Sequence, residues 1–202
     1  MNMTEYKKIE RAKLTYREYC KYLQLKYGEA KYDYFTKSWN KNPKVTRTKE
    51  GLICHHICED VAIMLSEPKF AQNNPFEFQS AKNLCYCDYL EHLLLHIMIC
   101  ESPDKNHNEA EAVGIGGVIN YLVPELNDFY SGWITGQTWR ANCHELIRND
   151  KEVYLELLKR FKHNCQNYPF FAEKCLYTSF NEPFGLWSRN KNQKLFKEIE
   201  SL

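Results

Sequence analysis

Four histidines and one asparagine in this sequence have types and spacings that suit a metal site. His92 and His96 are four residues apart, so in a helix their imidazoles leave the same face one turn apart and can reach one metal ion. His55 and His56 are adjacent, and Asn83 precedes His92 by nine residues. A His-x3-His pair in a leucine-rich helix is as often structural as metal-binding. The prediction of a metal site therefore depends on the whole set.

The surrounding sequence predicts two short strands and a helix that would position these side chains. Residues 51–57 and 84–89 form short apolar runs bounded by polar residues, which is typical of strands. Apolar residues at helical spacing predict a helix over about 89–101. Neighbouring residues of a strand point to opposite sides unless the strand ends or twists. One of the two adjacent histidines can then bind metal while the other faces a substrate.

Three segments together resemble a known motif. Cys54–Ile57 reads CHHI, Asn83–Cys87 reads NLCYC and Glu91–His96 reads EHLLLH. This set is similar to the HNH motif of the ββα-metal nucleases, a family that includes colicin-type DNases, homing endonucleases and nucleases of phages and mobile elements. The resemblance covers residues 51–101, about a quarter of the chain, and its most specific part is the spacing from the asparagine to the last two histidines.

The resemblance implies a role for each residue of the motif. His55, His92 and His96 would bind the metal, His56 would be the general base that activates water, and Asn83 would orient His56. Phosphodiester cleavage needs an activated water and a cation that stabilises charge on the phosphate and on the departing 3′ oxygen. A neutral imidazole suits the first need. We therefore expect an HNH endonuclease acting on nucleic acid, with double-stranded DNA as the commoner substrate of that family.

The expected cofactor is one divalent metal ion, namely zinc, nickel, manganese or magnesium. Nitrogen ligands favour the transition metals over magnesium, which prefers oxygen. Magnesium would need oxygen atoms of water and substrate to complete its coordination shell.

The sequence departs from a minimal motif between His56 and Asn83, where the longer gap implies an insertion between the two strands. Glu59 and Asp60 follow the histidine pair. They could supply a carboxylate behind the metal ligands, but the interpretation as solvated surface charges is favoured. The nearby cysteines have C-x3-C and C-x-C spacings, so packing thiols are favoured over a zinc knuckle. They are Cys54, Cys58, Cys85 and Cys87.

We predict an α+β protein in which a central ββα-metal (HNH) hairpin-helix module is embedded in a mostly helical chain. Residues 1–49 would form a basic N-terminal helical arm and linker, 50–101 the HNH module, and 102–202 a helical C-terminal region of unknown role. Residues 1–49 hold 13 Lys/Arg against 5 Asp/Glu, a net charge of +8, and the remaining residues carry −7. A basic arm of this kind could neutralise phosphates or could be a solvated helix face.

The predicted module itself is acidic, since Lys69 and Lys82 are its only Lys/Arg residues. Cations that hold phosphate would have to come from the arm or from the C-terminal half. The candidates in the arm are Lys7, Lys8, Arg11, Lys13, Arg17 and Lys21. Those in the C-terminal half are Arg140, Arg148, Lys159, Arg160 and Lys162.

A second hypothesis is a non-catalytic or weakly catalytic protein that keeps the HNH fold and inhibits a protein partner, such as a host defence complex. The acidic surface and the unassigned C-terminal helices, which could bind that partner, motivate it. The chain shows no apolar leader and no stretch long enough for a bilayer, and its nine cysteines are an odd number. We accordingly expect reduced thiols, a cytoplasmic location and no membrane contact.

Overall fold

The sheet of this protein consists of the two predicted strands. A computed structural model describes residues 1–108, 110–182 and 190–202. In it, β1 (Ile53–His56) pairs antiparallel with β2 (Leu84–Cys87), which places His55 opposite Cys85. Helices surround this sheet. The predicted α+β class is confirmed at the level of mixed helices with a small antiparallel sheet.

The described residues form helices and short helical turns in the following order along the chain. The helices are α1 (Met3–Ala12), α2 (Tyr16–Tyr27), α3 (Pro68–Ala71), α4 (Tyr89–Glu101), α5 (Ile115–Gly117), α6 (Val123–Tyr130), α7 (Thr138–Ile147), α8 (Lys151–Asn164) and α9 (Gln193–Glu200). A π-helical turn, Val118–Leu122, joins α5 to α6. The connection between the strands contains the 3-10 turns Ile57–Asp60, Phe76–Gln79 and Ala81–Asn83.

Helix α4 runs through the centre of the core. All its residues from Tyr89 to Cys100 are buried, and it packs against α2, α7, α8 and both strands. The helix begins at Asp88, whose carboxylate accepts a hydrogen bond from the Glu91 amide, while the Glu91 carboxylate accepts one from the Asp88 amide. This capping box fixes the first turn of α4. The turn that carries His92 therefore follows directly from a well-defined helix start.

The basic N-terminal segment, residues 1–49, packs on the same core. Helix α1 ends at Lys13, which adopts a left-handed backbone conformation (φ 50°), and Thr15 caps the start of α2. Helix α2 ends at Gly28. Tyr19 of α2 is fully buried among the residues of the main core. In the structure this segment is part of the packed unit and does not project from it.

Several cations that were candidates for phosphate binding form ion pairs with carboxylates of the same chain, some of them at the surface. These pairs are Arg17–Asp60, Lys21–Glu29, Arg148–Glu145, Arg160–Glu101 and Lys162–Glu173. A guanidinium or ammonium that is held by a carboxylate is less available to a phosphate group.

Residues 102–202 are mainly helical in the part that the structure describes. The two longest helices of this part are α7 and α8, which are separated by a break between Ile147 and Lys151. Residue 109 and residues 183–189 of this region lie outside the described residues. Where the chain is described, no helix combines the length and the apolar character that crossing a bilayer requires.

Candidate metal centre

His55, Glu59, His92 and His96 each bring one potential ligand atom to a common point. His55 comes from β1, Glu59 from the turn that follows it, and the other two from successive turns of α4. The four atoms all lie within 4.8 Å of one another. This buried group could bind a metal ion. The structure thus brings together the three predicted metal ligands and adds a carboxylate that was expected to be solvated.

Three of the six separations among these atoms are close to those of a tetrahedral site. His92 Nε2 lies 3.1 Å from His96 Nε2, which lies 3.3 Å from Glu59 Oε2. His55 Nδ1 is 3.6 Å from the same carboxylate oxygen. Metal bonds of roughly 2.0–2.1 Å place the corners of a regular tetrahedron about 3.3 Å apart. The four donors all lie within 4.8 Å of one another, so one ion can contact all of them once they draw closer together.

Tyr16 sets the proton position on His55. Its hydroxyl donates to the carbonyl oxygen of Ile57 at 3.0 Å and lies 2.8 Å from His55 Nε2. Because the hydroxyl has a single proton, it must accept from Nε2–H of the imidazole. The lone pair of His55 is then on Nδ1. This atom is buried and has no hydrogen-bond partner among the described residues. A buried lone pair without a partner is what a metal-ligating nitrogen shows when no ion is bound.

Helix α2 also holds the turn that carries Glu59. Arg17, the residue after Tyr16, makes a two-pronged ion pair with Asp60 through contacts of 2.6 and 2.7 Å. Two consecutive residues of α2 therefore fix the segment from His55 to Asp60 from one side.

The segment after α4 positions His96 in a similar way. His96 Nδ1 lies 3.1 Å from the carbonyl oxygen of Gly114, which can only accept, so the proton is on Nδ1 and the lone pair is on Nε2. Gly117 lies directly against the imidazole, where a Cβ atom would be 2.3 Å from His96 Cε1. Only glycine leaves room for the ring at this point.

Burial favours the neutral forms of the clustered groups. It lowers the pKa of His96 to about 4 and raises the pKa of Glu59 to about 8. The pKa values of His55 and His92 are well below the usual range because of burial and the neighbouring imidazoles. Neutral imidazoles present the lone pairs that a metal ion needs, and a cation would favour the charged carboxylate.

His56 lies beside this group and is oriented by Gln79. The Gln79 amide nitrogen donates to the carbonyl oxygen of Leu65 at 3.2 Å, so its oxygen, 2.9 Å from His56 Nε2, accepts the proton of that atom. His56 Nδ1 then carries the lone pair and lies 3.8 Å from Glu59 Oε1. Burial lowers the pKa of His56 to about 4. The Tyr34 ring packs on the imidazole with 4.3 Å between ring centres.

The hydrogen bonds of Asn83 do not involve His56 in the described structure. Its amide donates to the carbonyl oxygen of Glu77 at 2.9 Å and to the Ser80 hydroxyl at 3.4 Å. Asn83 therefore stabilises the turn before β2, and the orienting role that the resemblance implied for it belongs to Gln79. Gln79 carries no sequence signal, because it lies in the inserted connection and reaches His56 only through the fold.

The four cysteines near the motif take no part in the ligand group, as expected for packing thiols. Cys58, Cys85 and Cys87 are buried, and Cys54 is half-buried. The potential metal group found among the described residues contains imidazoles and a carboxylate only.

Comparisons of the chain with protein-family models, curated proteins and solved structures found no match. A function must therefore be inferred from the geometry of the site.

Replacement of Gly117 should destroy the site while its neighbour tolerates the same change. In Gly117→Ala the new methyl group would overlap the His96 ring, so we expect metal affinity to fall by more than about 100-fold, beyond the roughly 10–100-fold cost of losing an outer partner. Gly116→Ala is the control, since its nearest atom would be Asn120 Nδ2 at 3.8 Å. Titration with Zn²⁺ followed by calorimetry measures both. Equal affinities would contradict the placement of His96.

Loss of the Tyr16 hydroxyl should weaken metal binding without unfolding the protein. Tyr16→Phe removes the acceptor for His55 Nε2–H, and we expect roughly 10–100-fold lower metal affinity. Tyr19→Phe is the matched control, because Tyr19 is buried on the same helix and its hydroxyl contacts Met1 Sδ at 3.7 Å. The same titration applies to both. If the two variants lose affinity equally, Tyr16 does not position His55.

Proposed function

We propose that this protein is a metal-dependent endonuclease of the HNH type, which hydrolyses phosphodiester bonds of nucleic acid with His56 as general base. The position of His56 Nδ1 carries the proposal. It lies 3.8 Å from Glu59 Oε1. The other carboxylate oxygen, Glu59 Oε2, lies 3.3 Å from His96 Nε2. An imidazole lone pair is thus adjacent to the group that would hold the metal. The resemblance of the histidine segments to the HNH motif supports the same family.

Each residue of the site has a defined task in this reaction. His55, Glu59, His92 and His96 would hold a divalent ion, which would supply electrostatic stabilisation of the charge on the phosphate and on the leaving oxygen. His56 Nδ1 takes a proton from water as the water oxygen attacks phosphorus. The new P–O bond forms while the bond to the 3′ oxygen breaks, and that oxygen leaves with the electron pair and takes a proton from solvent.

The donor set favours zinc among the divalent ions considered. Three imidazole nitrogens and one carboxylate oxygen are a donor set typical of Zn²⁺ sites. Nickel and manganese also bind such donors, whereas Mg²⁺ prefers six oxygen ligands. Zinc is therefore the ion that we expect to bind most tightly.

Glu59 has to give way for the reaction to proceed. A catalytic zinc site keeps one position for water or substrate, and the Glu59 carboxylate occupies the space between the three imidazoles and His56. Its side chain is 15% exposed, against 0% and 8% for those of His55 and His96. As the most exposed of these side chains, Glu59 would hold the ion in the substrate-free protein and would move aside to leave room for a substrate phosphate and for the attacking water beside His56.

Burial of the site favours a second candidate function. Structural zinc sites have four protein ligands and no open position, and the group in this core can supply all four. A protein-binding module whose fold depends on the metal would have this arrangement. Strong destabilisation by a chelator, together with no cleavage under any condition, would favour this candidate.

Cleavage should require His56 and a metal ion. Labelled single-stranded and double-stranded DNA and RNA are incubated with the protein and Zn²⁺, Ni²⁺, Mn²⁺ or Mg²⁺. In His56→Ala we expect the cleavage rate to fall by roughly 10²–10⁴, the usual contribution of a general base, with unchanged metal content because His56 is not a ligand. His163→Ala, at an exposed histidine of α8, is the control. If His56→Ala cleaves at the parent rate, His56 is not the general base. If the parent protein cleaves no substrate with any of the four metals, the protein is not a nuclease.

Gln79 and Asn83 should differ in their effect on the rate. Gln79→Met removes the acceptor that keeps the proton on His56 Nε2, so we expect roughly 10–100-fold slower cleavage. Asn83→Ala should lower the free energy of unfolding by about 0.5–1.5 kcal/mol through the lost turn hydrogen bonds, with little effect on the rate. Single-turnover cleavage and urea unfolding of both variants provide the test. The reverse ranking of rates would return the orienting role to Asn83.

A further inference from the structure

A cavity of about 450 Å³ lies between the end of α2, the segment that connects α2 to β1, and strand β2. Its volume is within the range of about 300–1,000 Å³ that small-molecule sites have. We call this cavity the basic pocket. Aromatic rings and cations dominate its lining, which includes Tyr27, Lys31, Tyr32, Lys44, Arg47 and Tyr86.

The charge of the basic pocket favours an anion. Lys31 and Lys44 are exposed, and neither has a carboxylate partner in the part of the chain that the structure describes. Glu29 also lines the pocket, but its carboxylate is paired with Lys21 at 3.1 Å. Two ammonium groups that no carboxylate holds can bind a phosphate group, since lysine is a common phosphate ligand.

Arg47 and Tyr86 form a fixed part of the wall of this pocket. The Tyr86 ring is buried, its hydroxyl donates to the Val45 carbonyl oxygen at 3.0 Å, and the Arg47 guanidinium lies 4.6 Å from the ring centre. Arg47 also donates to the Tyr27 carbonyl oxygen at 2.6 Å and pairs with Glu50. A wall that the fold already holds in place loses little conformational entropy when a ligand binds.

Tyr32 has the most accessible of the three rings that line the pocket. It is 44% exposed, and the Lys44 ammonium lies 5.3 Å from its ring centre. An aromatic ring next to an ammonium group can serve two parts of one ligand. The ring stacks on a base, as in proteins that bind unpaired nucleotides, while the ammonium contacts the phosphate of the same nucleotide.

From these contacts we infer that the basic pocket binds a nucleoside phosphate, with the phosphate against Lys31 and Lys44 and the base on the Tyr32 ring. A phosphotyrosine peptide also combines a ring with a phosphate. Phosphorylated peptides are, however, typically recognised by clusters of arginines, and the arginine of this pocket is committed to Glu50. The two lysines and the accessible ring therefore favour a nucleotide.

The nucleotide can be a free molecule or one unit of a nucleic-acid strand, because the recognising chemistry is the same. In the sheet, Tyr86 is opposite Cys54 and His56 is opposite Leu84. Tyr86 and His56 therefore share one face of the hairpin, and their backbone positions are about 7 Å apart along the strands. A strand held in the pocket could extend to His56. Binding in the pocket does not depend on the nuclease proposal.

Calorimetric titration with adenosine monophosphate (AMP) tests the pocket. Lys44→Ala should lower the affinity by about tenfold, a typical effect of losing a hydrogen bond between charged groups. Lys37→Ala is its control, since Lys37 is an exposed lysine of the same basic segment outside the pocket lining. Tyr32→Ala should lower the affinity by at least about fivefold through the lost stacking. Tyr121→Ala is the matched control, because Tyr121 is 45% exposed and lies in the π-helical turn.

Three smaller or different probes separate the parts of the ligand. Adenosine, inorganic phosphate and phosphotyrosine should each bind at least about tenfold more weakly than AMP, because each lacks the phosphate, the base or the nucleotide shape. Binding of adenosine as tight as that of AMP would overturn the inference. Tighter binding of phosphotyrosine, or equal effects of Lys44→Ala and Lys37→Ala, would do the same.

A 5′-phosphorylated oligodeoxyadenylate of about 12 nucleotides distinguishes the two sources of the nucleotide. It is titrated into the His56→Ala protein, so that cleavage does not consume it. Tighter binding of this strand than of AMP, with the same loss in Lys44→Ala, assigns the pocket to a strand. Binding of AMP alone assigns it to a free nucleotide, and binding of neither overturns the inference.

The outcomes also separate this inference from the proposed function. If AMP or the strand binds through Lys44 but the parent protein cuts no nucleic acid, the pocket remains and the nuclease proposal fails. If the parent protein cuts nucleic acid while Lys44→Ala and Tyr32→Ala change neither affinity, the nuclease proposal remains and the inference fails.

Discussion

Three imidazoles and a carboxylate lie together inside the hydrophobic core, and their burial favours the neutral form of each group. Removing an isolated charge from water costs several kcal/mol. The pKa of Glu59, raised to about 8, and that of His96, lowered to about 4, show how strongly the surroundings favour neutral groups. A divalent cation would compensate the carboxylate and would use the imidazole lone pairs at the same time. Binding of an ion at the site would therefore also change the stability of the surrounding core.

The helices that pack around α4 also hold the four potential ligands in place. Helix α4 is buried on all sides, so it needs neighbours on every face, and those neighbours supply the outer contacts of the site. Helix α2 contributes Tyr16 and Arg17 on one side, and the glycines 114 and 117 admit His96 on the other. The N-terminal segment is basic in composition, yet some of its cations serve this packing. Of its six candidate phosphate-binding cations, Arg17 and Lys21 take part in ion pairs that the fold creates.

Local patterns in the sequence predicted the strands, the helix and three of the four potential ligands, because strand alternation and helical spacing act over a few residues. Two functional groups were missed for a physical reason. Glu59 lies in the polar turn that follows β1, where a charged residue is usually solvated. In the fold this turn directs its carboxylate toward His96 of α4. Gln79 lies 23 residues beyond His56, and only the folded connection brings them together. The sequence pattern also placed Asn83 at the site, whereas its hydrogen bonds belong to a local turn.

The contacts of His56 bear on the choice between a structural and a catalytic metal. A structural ion needs four ligands, and the group around Glu59 supplies them without His56. Yet His56 is buried, and a second buried polar residue, Gln79, fixes its proton through a bond to the Leu65 carbonyl. Two polar side chains inside a core lower the stability of the fold unless all their polar atoms are paired. One such atom, His56 Nδ1, faces the Glu59 carboxylate at 3.8 Å, which is too long for a hydrogen bond. An oriented lone pair contributes nothing to a structural ion, whereas hydrolysis requires it.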